Sequence, residues 1–199
     1  MEVLILSKTH IGANACVGGI VLENLQPIRL HNDINSYQPG NTEFEIGQIW
    51  NIEFNNRPDT APHVEDVIIL SKKIISENNN IKNIILDRCI VWRGGPESLF
   101  NGMIKWTGNG SGYINDADIP PNSVGFWIND KDLRFENSYY SYPPLTRFHT
   151  GKRLSYVGFT EAIGVIPAGS LIRVSLAKWW KPKDIAMENR CYLQLSGWY

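Results

Sequence analysis

Two residues able to form a nucleophile and its base stand near the start of the chain, His10 and Cys16, within SKTHIGANACVGGIVLE, residues 7–23. An imidazole within reach of a thiol can draw off its proton and make it a nucleophile, and this spacing allows contact across a turn. Against that chemistry, Cys16 opens an apolar run in which a free cysteine packs as a small hydrophobe. The same stretch could touch a phosphate through Lys8, Thr9, His10 and the amides near Gly12. It lacks the GxxxxGK[ST] order of a nucleotide loop, however, and its glycines lead into a strand instead of a helix N-terminus. The expectation is a turn between two strands, with Lys8 and His10 as secondary phosphate contacts.

Other constellations are weaker. A metal site would need His10, His31 and His63 to converge with Cys16 or Asp66. In PHVED the neighbouring side chains of one strand point to opposite faces. No metal or cofactor is therefore expected. Asp116, Asp118, Asp130 and Asp132 lie in NDAD and NDKD, where turn and capping roles account for them. Cys16, Cys89 and Cys191 are too few and too dispersed for a disulfide framework or a zinc ribbon.

Basic and aromatic residues carry the more specific signal. The formal charge is −1, which argues against coating nucleic acid by bulk electrostatics, yet the charge is segregated. Residues 1–90 hold 7 Lys and Arg against 11 Asp and Glu, residues 91–138 hold 4 against 6, and residues 139–199 hold 8 against 3. The last part also contains YYSY at 139–142, Trp179, Trp180, Trp198 and Tyr199. Exposed rings stack bases, and adjacent cations hold the backbone. With no recognition helix in view, flexible or single-stranded nucleic acid is favoured over a duplex.

The elements that must position these residues are mostly strands. Val3–Ser7, Ala15–Glu23, Pro27–His31, Gln48–Phe54 and Val64–Ile75 read as five short strands separated by turn residues. Gly18 and Gly19 inside the second suggest a bulge, which a small barrel needs in order to close. Five strands without a strong intervening helix suit an OB-type barrel. The polar SENNNIKN, residues 76–83, marks a boundary, giving a first barrel over 1–82 and a second over 83–199. In RGGPESLFNGMIKW, Gly95 as N-cap and Pro96 as first residue predict a helical insertion near 96–105, with Leu99, Phe100, Met103 and Ile104 on one face. TGNGSGYINDADIPPN follows as a long candidate binding loop. Leu154–Ile166, Leu171–Trp180 and Cys191–Trp198 complete the second barrel. Alternation sets Ile172, Val174 and Leu176 opposite to Arg173, Ser175 and Ala177. It likewise sets Cys191, Leu193 and Leu195 inward, and Tyr192, Gln194, Ser196 and Trp198 outward.

Taken together, SKTHIGANACVGG, WRGGPESLF, GSGYI, GFWI, YYSYP, YVGF, IPAGSLIRVSLAKWW and CYLQLSGWY resemble the dual OB-fold domain (DuOB) family of bacterial proteins over essentially the whole chain. The resemblance implies two OB-like barrels and brings no catalytic residues to transfer. It further implies binding to nucleic acid or nucleotides, in a defence or genome-maintenance setting where a partner enzyme does the chemistry.

The sequence thus predicts a mainly all-β protein of two small OB-like barrels, one short helix and long loops. The absence of a signal peptide and of a long apolar run points to a cytoplasmic location without membrane contact. The expected activity is non-catalytic binding of single-stranded nucleic acid or a nucleotide-like ligand. Arg173, Lys178, Trp179, Trp180 and Trp198 are the main contacts, with Arg93 and Tyr140 beside them and Lys8 and His10 secondary. The rival readings are a subunit whose aromatics dock a partner protein and a small enzyme using His10 and Cys16.

Overall fold

The computed structural model describes residues 1–32, 36–143, 150–182 and 187–199. Two compact units divide the chain, Met1–Cys89 and Ile90–Tyr199. The first contains β1 (Glu2–Ile11), β2 (Asn14–Val21), β3 (Pro27–His31), β4 (Gln38–Pro39), β5 (Gln48–Asn56), β6 (Asp66–Glu77) and helix α1 (Ile81–Arg88). The second contains β7 (Val91–Gly94), β8 (Lys105–Trp106), β9 (Gly112–Asn115), β10 (Val124–Asn129), β11 (Leu133–Glu136), β12 (Tyr139–Tyr142), β13 (Lys152–Tyr156), β14 (Val165–Ile166), β15 (Leu171–Leu176) and β16 (Arg190–Trp198).

In the first unit β1 pairs with both β2 and β5, so the path β1-β5-β6-β3-β2 closes on itself as a five-stranded barrel. All its ladders are antiparallel except β3 with β6. Val3, Leu4, Ile5, Val17, Leu30 and Ile52 are fully or almost fully buried, so both faces of β1 are covered along Val3, Leu4 and Ile5. The β1–β2 register slips between Ile5, opposite Gly19, and Ser7, opposite Gly18. Leu6 is therefore a bulged residue facing the glycine pair. A Cβ on Gly19 would lie 2.7 Å from the Leu4 carbonyl oxygen and 2.9 Å from Val3 Cγ1, so only glycine lets the two strands cross this closely.

The second unit repeats this circuit with different materials. Its main path runs β14-β11-β12-β13-β16-β15-β10-β7. β10 and β11 are separated only by residues 130–132 and together act as one bent first strand. The ring β10/β11–β12–β13–β16–β15–β10 has the strand order of the first barrel, and its one parallel ladder, β13 with β16, takes the place of β3 with β6. β9, with β8 beyond it, pairs with the first residues of β16. Both orders and directions are those of an OB fold.

Four local expectations need correction. The segment 96–105 is not an α-helix: Pro96–Gly102 is a 3-10 turn broken at Leu99, with Phe100 and Asn101 at φ 49° and 55°. Burial of both Leu99 and Phe100, the latter 4.8 Å from the Trp92 ring, overrides the helical period. The stretch read as one strand over 154–166 is two, β13 and β14, with non-strand residues between them. The run read as a strand over 171–180 stops at Leu176. A helix, α1, starts within the polar stretch read as a linker.

Gly19→Ala is expected to lower stability by about 1–3 kcal/mol through overpacking against backbone. Gly164→Ala, where an added Cβ meets nothing within 4 Å, should be neutral. Urea titrations of the two variants check this.

Candidate nucleic-acid interface

Alternation decides which residues of the second barrel face outward. On β12, Tyr140 and Tyr142 point inward, opposite Leu154 and Lys152 of β13. Tyr139 and Ser141 point outward, opposite Ser155 and Arg153. On β11, Arg134 lies opposite Ser141 and Glu136 opposite Tyr139. A row Arg134–Ser141–Arg153 therefore crosses three strands on the outer wall. The row below it is Glu136–Tyr139–Ser155, continued by Gln194 of β16 and Ser175 of β15.

The electrostatics of this wall are uneven. Lys105 is ion-paired with Asp118 at 3.3 Å and Arg190 with Glu188 at 2.9 Å. Hydrogen bonds from Asn115 and Arg190 hold the Glu188 carboxyl below its usual range. Inside the ring, Lys152 contacts Glu97 and covers the Trp106 ring. Arg134 and Arg153 have no carboxylate partner among the described residues. The Arg153 guanidinium lies 5.2 Å from the centre of the Tyr139 ring, a cation–π contact. Its Nε is buried without a hydrogen-bond partner.

Beside Arg153 opens a groove of about 440 Å³ lined by Gly108, Asn109, Ser141, Thr150, Gly151 and Arg153. Its rim is the first part of the long loop singled out in the sequence. Only 107–111 of that stretch is a turn before β9, and it is locked in place: Arg153 N donates to the Gly110 carbonyl at 2.8 Å, and Thr107 N to the Ser111 carbonyl at 3.0 Å. The Thr107 hydroxyl accepts from Ser111 N at 3.0 Å. Gly110 has φ +86°, and a Cβ there would fall 2.0 Å from the Gly151 oxygen.

The residues expected from the sequence are dispersed. Arg173 is only 5% exposed, beside the buried Phe126 on the β10–β15 ladder. Burial pushes the Tyr199 phenol up, and the Arg173 charge opposes it. Tyr140 is fully buried, with its hydroxyl donating to the Ile163 carbonyl at 2.9 Å and accepting from Ile163 N at 3.0 Å. The expected outward course of β16 holds for Tyr192 and Gln194 and then fails. The ladder with β15 skips Ser196, which is buried, and the phase reverses so that Trp198 lies opposite Ile172. Trp198 packs 5.9 Å from Tyr140 and 5.5 Å from Tyr156. Trp179 is half-buried against the core. Lys178 is half-buried and opposes the burial that pushes the Cys191 thiol up to about 12. Trp180 is 52% exposed, its ring 6.0 Å from that of Tyr192. Arg93 is exposed on β7, at the other end of the strand path from β12.

In the first barrel, Lys8 is buried, with its ammonium on Glu45 at 2.7 Å and on the Thr42 carbonyl at 3.2 Å, so its charge is engaged within the protein. His10 is exposed opposite Ala15, whereas Cys16 lies opposite Thr9. Directly opposed residues share a face, so His10 and Cys16 project to opposite faces of the hairpin. Asp66 meets Arg29 at 2.8 Å and His31 Nε2 at 3.4 Å, and Glu65 lies 3.8 Å from Arg29. Both acids thus face a cation, and among the described residues no three His, Cys, Asp or Glu side chains gather to hold a metal.

Residues 1–198 match the family model of the dual OB-containing domain, DuOB. The chain belongs to this family. No curated protein and no solved structure matches it. OB folds commonly bind oligonucleotides or oligosaccharides on the face of their second and third strands. In the second barrel of this DuOB protein those strands are β12 and β13, which carry Tyr139, Ser141 and Arg153. Of YYSY, Tyr140 points inward and Tyr139 outward; period-two alternation in LRFE, YYSY and KRLSY is the sequence signal that places Arg134, Tyr139, Ser141 and Arg153 on the outer wall. No helix among the described residues is long and apolar enough to cross a membrane.

Tyr140→Phe should cost about 1–3 kcal/mol, since Ile163 loses a buried partner. Tyr139→Phe should stay within about 0.5 kcal/mol. Thermal unfolding of both variants separates the core tyrosine from the wall tyrosine.

Proposed function

We propose that this DuOB protein is a non-catalytic binding module for single-stranded nucleic acid or a nucleotide, acting through the outer wall of its second barrel. One observation carries the reading: Arg134 and Arg153 flank Ser141 in register with no carboxylate partner among the described residues, and Tyr139 lies beneath Arg153. Cations left unneutralised beside a polar groove favour an anionic ligand, and their fork geometry suits phosphate. Tyr139 and the more distant Trp180 and Tyr192 supply flat surface for bases. Family membership supports a binding role, and the opposed faces of His10 and Cys16 support the absence of chemistry at that pair. A partner enzyme, in a defence or genome-maintenance setting, would supply catalysis.

The half-exposed Trp180 favours a second reading, a protein-docking surface, because Trp is a hot-spot residue of interfaces. Fluorescence anisotropy with labelled single-stranded DNA, single-stranded RNA and duplex DNA, at about 50 and 200 mM salt, separates the two. The expected result is salt-sensitive binding of single strands. Arg134→Ala and Arg153→Ala should each weaken it and reduce the salt slope by about 1. Tyr139→Ala should cost about 1–3 kcal/mol of binding. Absence of binding to all three nucleic acids would refute the nucleic-acid reading and leave a free nucleotide or the docking surface.

A further inference from the structure

Among the described residues, Lys105 and Arg190 are paired with Asp118 and Glu188, whereas Arg134 and Arg153 flank Ser141 with no carboxylate partner. A surface that tracks a polymer backbone needs cations repeated along its length. Two arginines on either side of Ser141, one of them lining a groove of about 440 Å³, suit a compact ligand of nucleotide size instead.

The charge of the ligand follows from the same count. An internal phosphodiester carries one negative charge, whereas a phosphomonoester carries about −1.5 to −2 near neutral pH and offers three acceptor oxygens. Glu136, exposed in the row below, is the nearest outward acid on β11 and does not pair with either arginine. The remaining groove lining is neutral: the Ser141 and Thr150 hydroxyls and the Asn109 amide can donate to phosphate oxygens, and Gly108 and Gly151 leave the backbone open to close approach. The fixed 107–111 loop means that little ordering is needed on binding.

We propose that the Arg134–Ser141–Arg153 cluster and its groove recognise a terminal phosphomonoester, the phosphorylated end of a nucleic-acid strand. This rests on the single-strand binding proposed above and names the part of the strand that is bound. Arg153 supplies the fork, Arg134 the second charge, and Ser141 a hydroxyl between them. The terminal base stacks on the wall beside Tyr139.

The test uses the full chain and four labelled eight-nucleotide DNA strands: 5′-phosphate, 5′-hydroxyl, 3′-phosphate and 3′-hydroxyl, each with the dye on the other end. The same set is made in RNA. One phosphorylated end should bind at least about tenfold more tightly than its hydroxyl counterpart. Arg153→Ala and Ser141→Ala should remove that preference while leaving the thermal midpoint near that of the parent. Arg153→Lys, which keeps charge but loses the fork, should retain only part of it. Calorimetry with a free nucleoside 5′-monophosphate and with inorganic phosphate distinguishes the source of the group. Equal binding of phosphorylated and hydroxyl ends would overturn the inference and leave the single-strand reading standing. Binding of the free monophosphate but of no strand would support the phosphomonoester site and overturn the strand reading. No binding of any probe would overturn both.

Discussion

Each barrel depends on a single parallel ladder, between its third and fifth strands, because every other neighbour in the ring is antiparallel. Parallel pairing is the less stable kind per residue, and here it is short: three registered pairs between β3 and β6, two between β13 and β16. Without it each sheet would be an open, curled ribbon with two free edges. The two units secure this weak seam by different chemistry. In the first, Arg29 and Asp66 are directly opposed across the seam and ion-paired at 2.8 Å, with His31 and Glu65 close by. In the second, Tyr140, Tyr156 and Trp198 meet inside the ring within 5.9 Å of one another. Burial within that cluster pushes the Tyr156 phenol up to about 12.

That division of labour explains why the most conspicuous aromatic and basic residues are not at the candidate site. Tyr140 and Trp198 hold the second seam, and Arg173 is buried on the outer side of the β10–β15 ladder. Removing one partner of a buried ion pair is costly, so Arg29 and Asp66 are equally committed to structure. The residues free to meet a ligand are the outward neighbours of the seam residues. Tyr139 adjoins Tyr140, and Arg153 lies two positions before Ser155, which faces Gln194 across the parallel ladder. The packed ring cluster and the candidate site thus lie on opposite sides of the same two strands, an arrangement that preorganises the outer wall.

Much of the fold is legible from period and glycine placement. β3 has the bounds that its alternation and flanking turn residues indicate, whereas the bulge expected at Gly18 and Gly19 falls on the opposite strand, at Leu6 of β1. Less legible are elements whose reason lies in distant contacts. α1 has only Ile81 and Ile85 buried, too small an apolar stripe to stand out in an asparagine-rich stretch. The turn at 96–102 begins with good helix chemistry and is broken because Leu99 and Phe100 must both enter the core. For the candidate site, composition points to the last third of the chain and to its large rings, which are also the best core residues. The discriminating information is the parity of position along each strand. A bulge such as that at Ser196 reverses parity and cannot be read from residue type alone.

Net charge has a similar limit. The excess of five positive charges over residues 139–199 suggests a broad basic surface. In the folded protein much of that excess is removed from play. Arg173 is buried, Lys152 is drawn to Glu97 from another part of the sequence, and Arg190 is bound to Glu188. Against this, Arg134 comes from outside the basic segment and joins Arg153 across Ser141. The field of two arginines that have no carboxylate partner among the described residues is short-ranged at physiological ionic strength, where screening acts over about 8 Å. Such a field does little to gather a polyanion from a distance, but it acts fully on a charged group already in the groove. Selectivity for one anion in one place, rather than affinity for a chain of them, is what that distribution of charge favours.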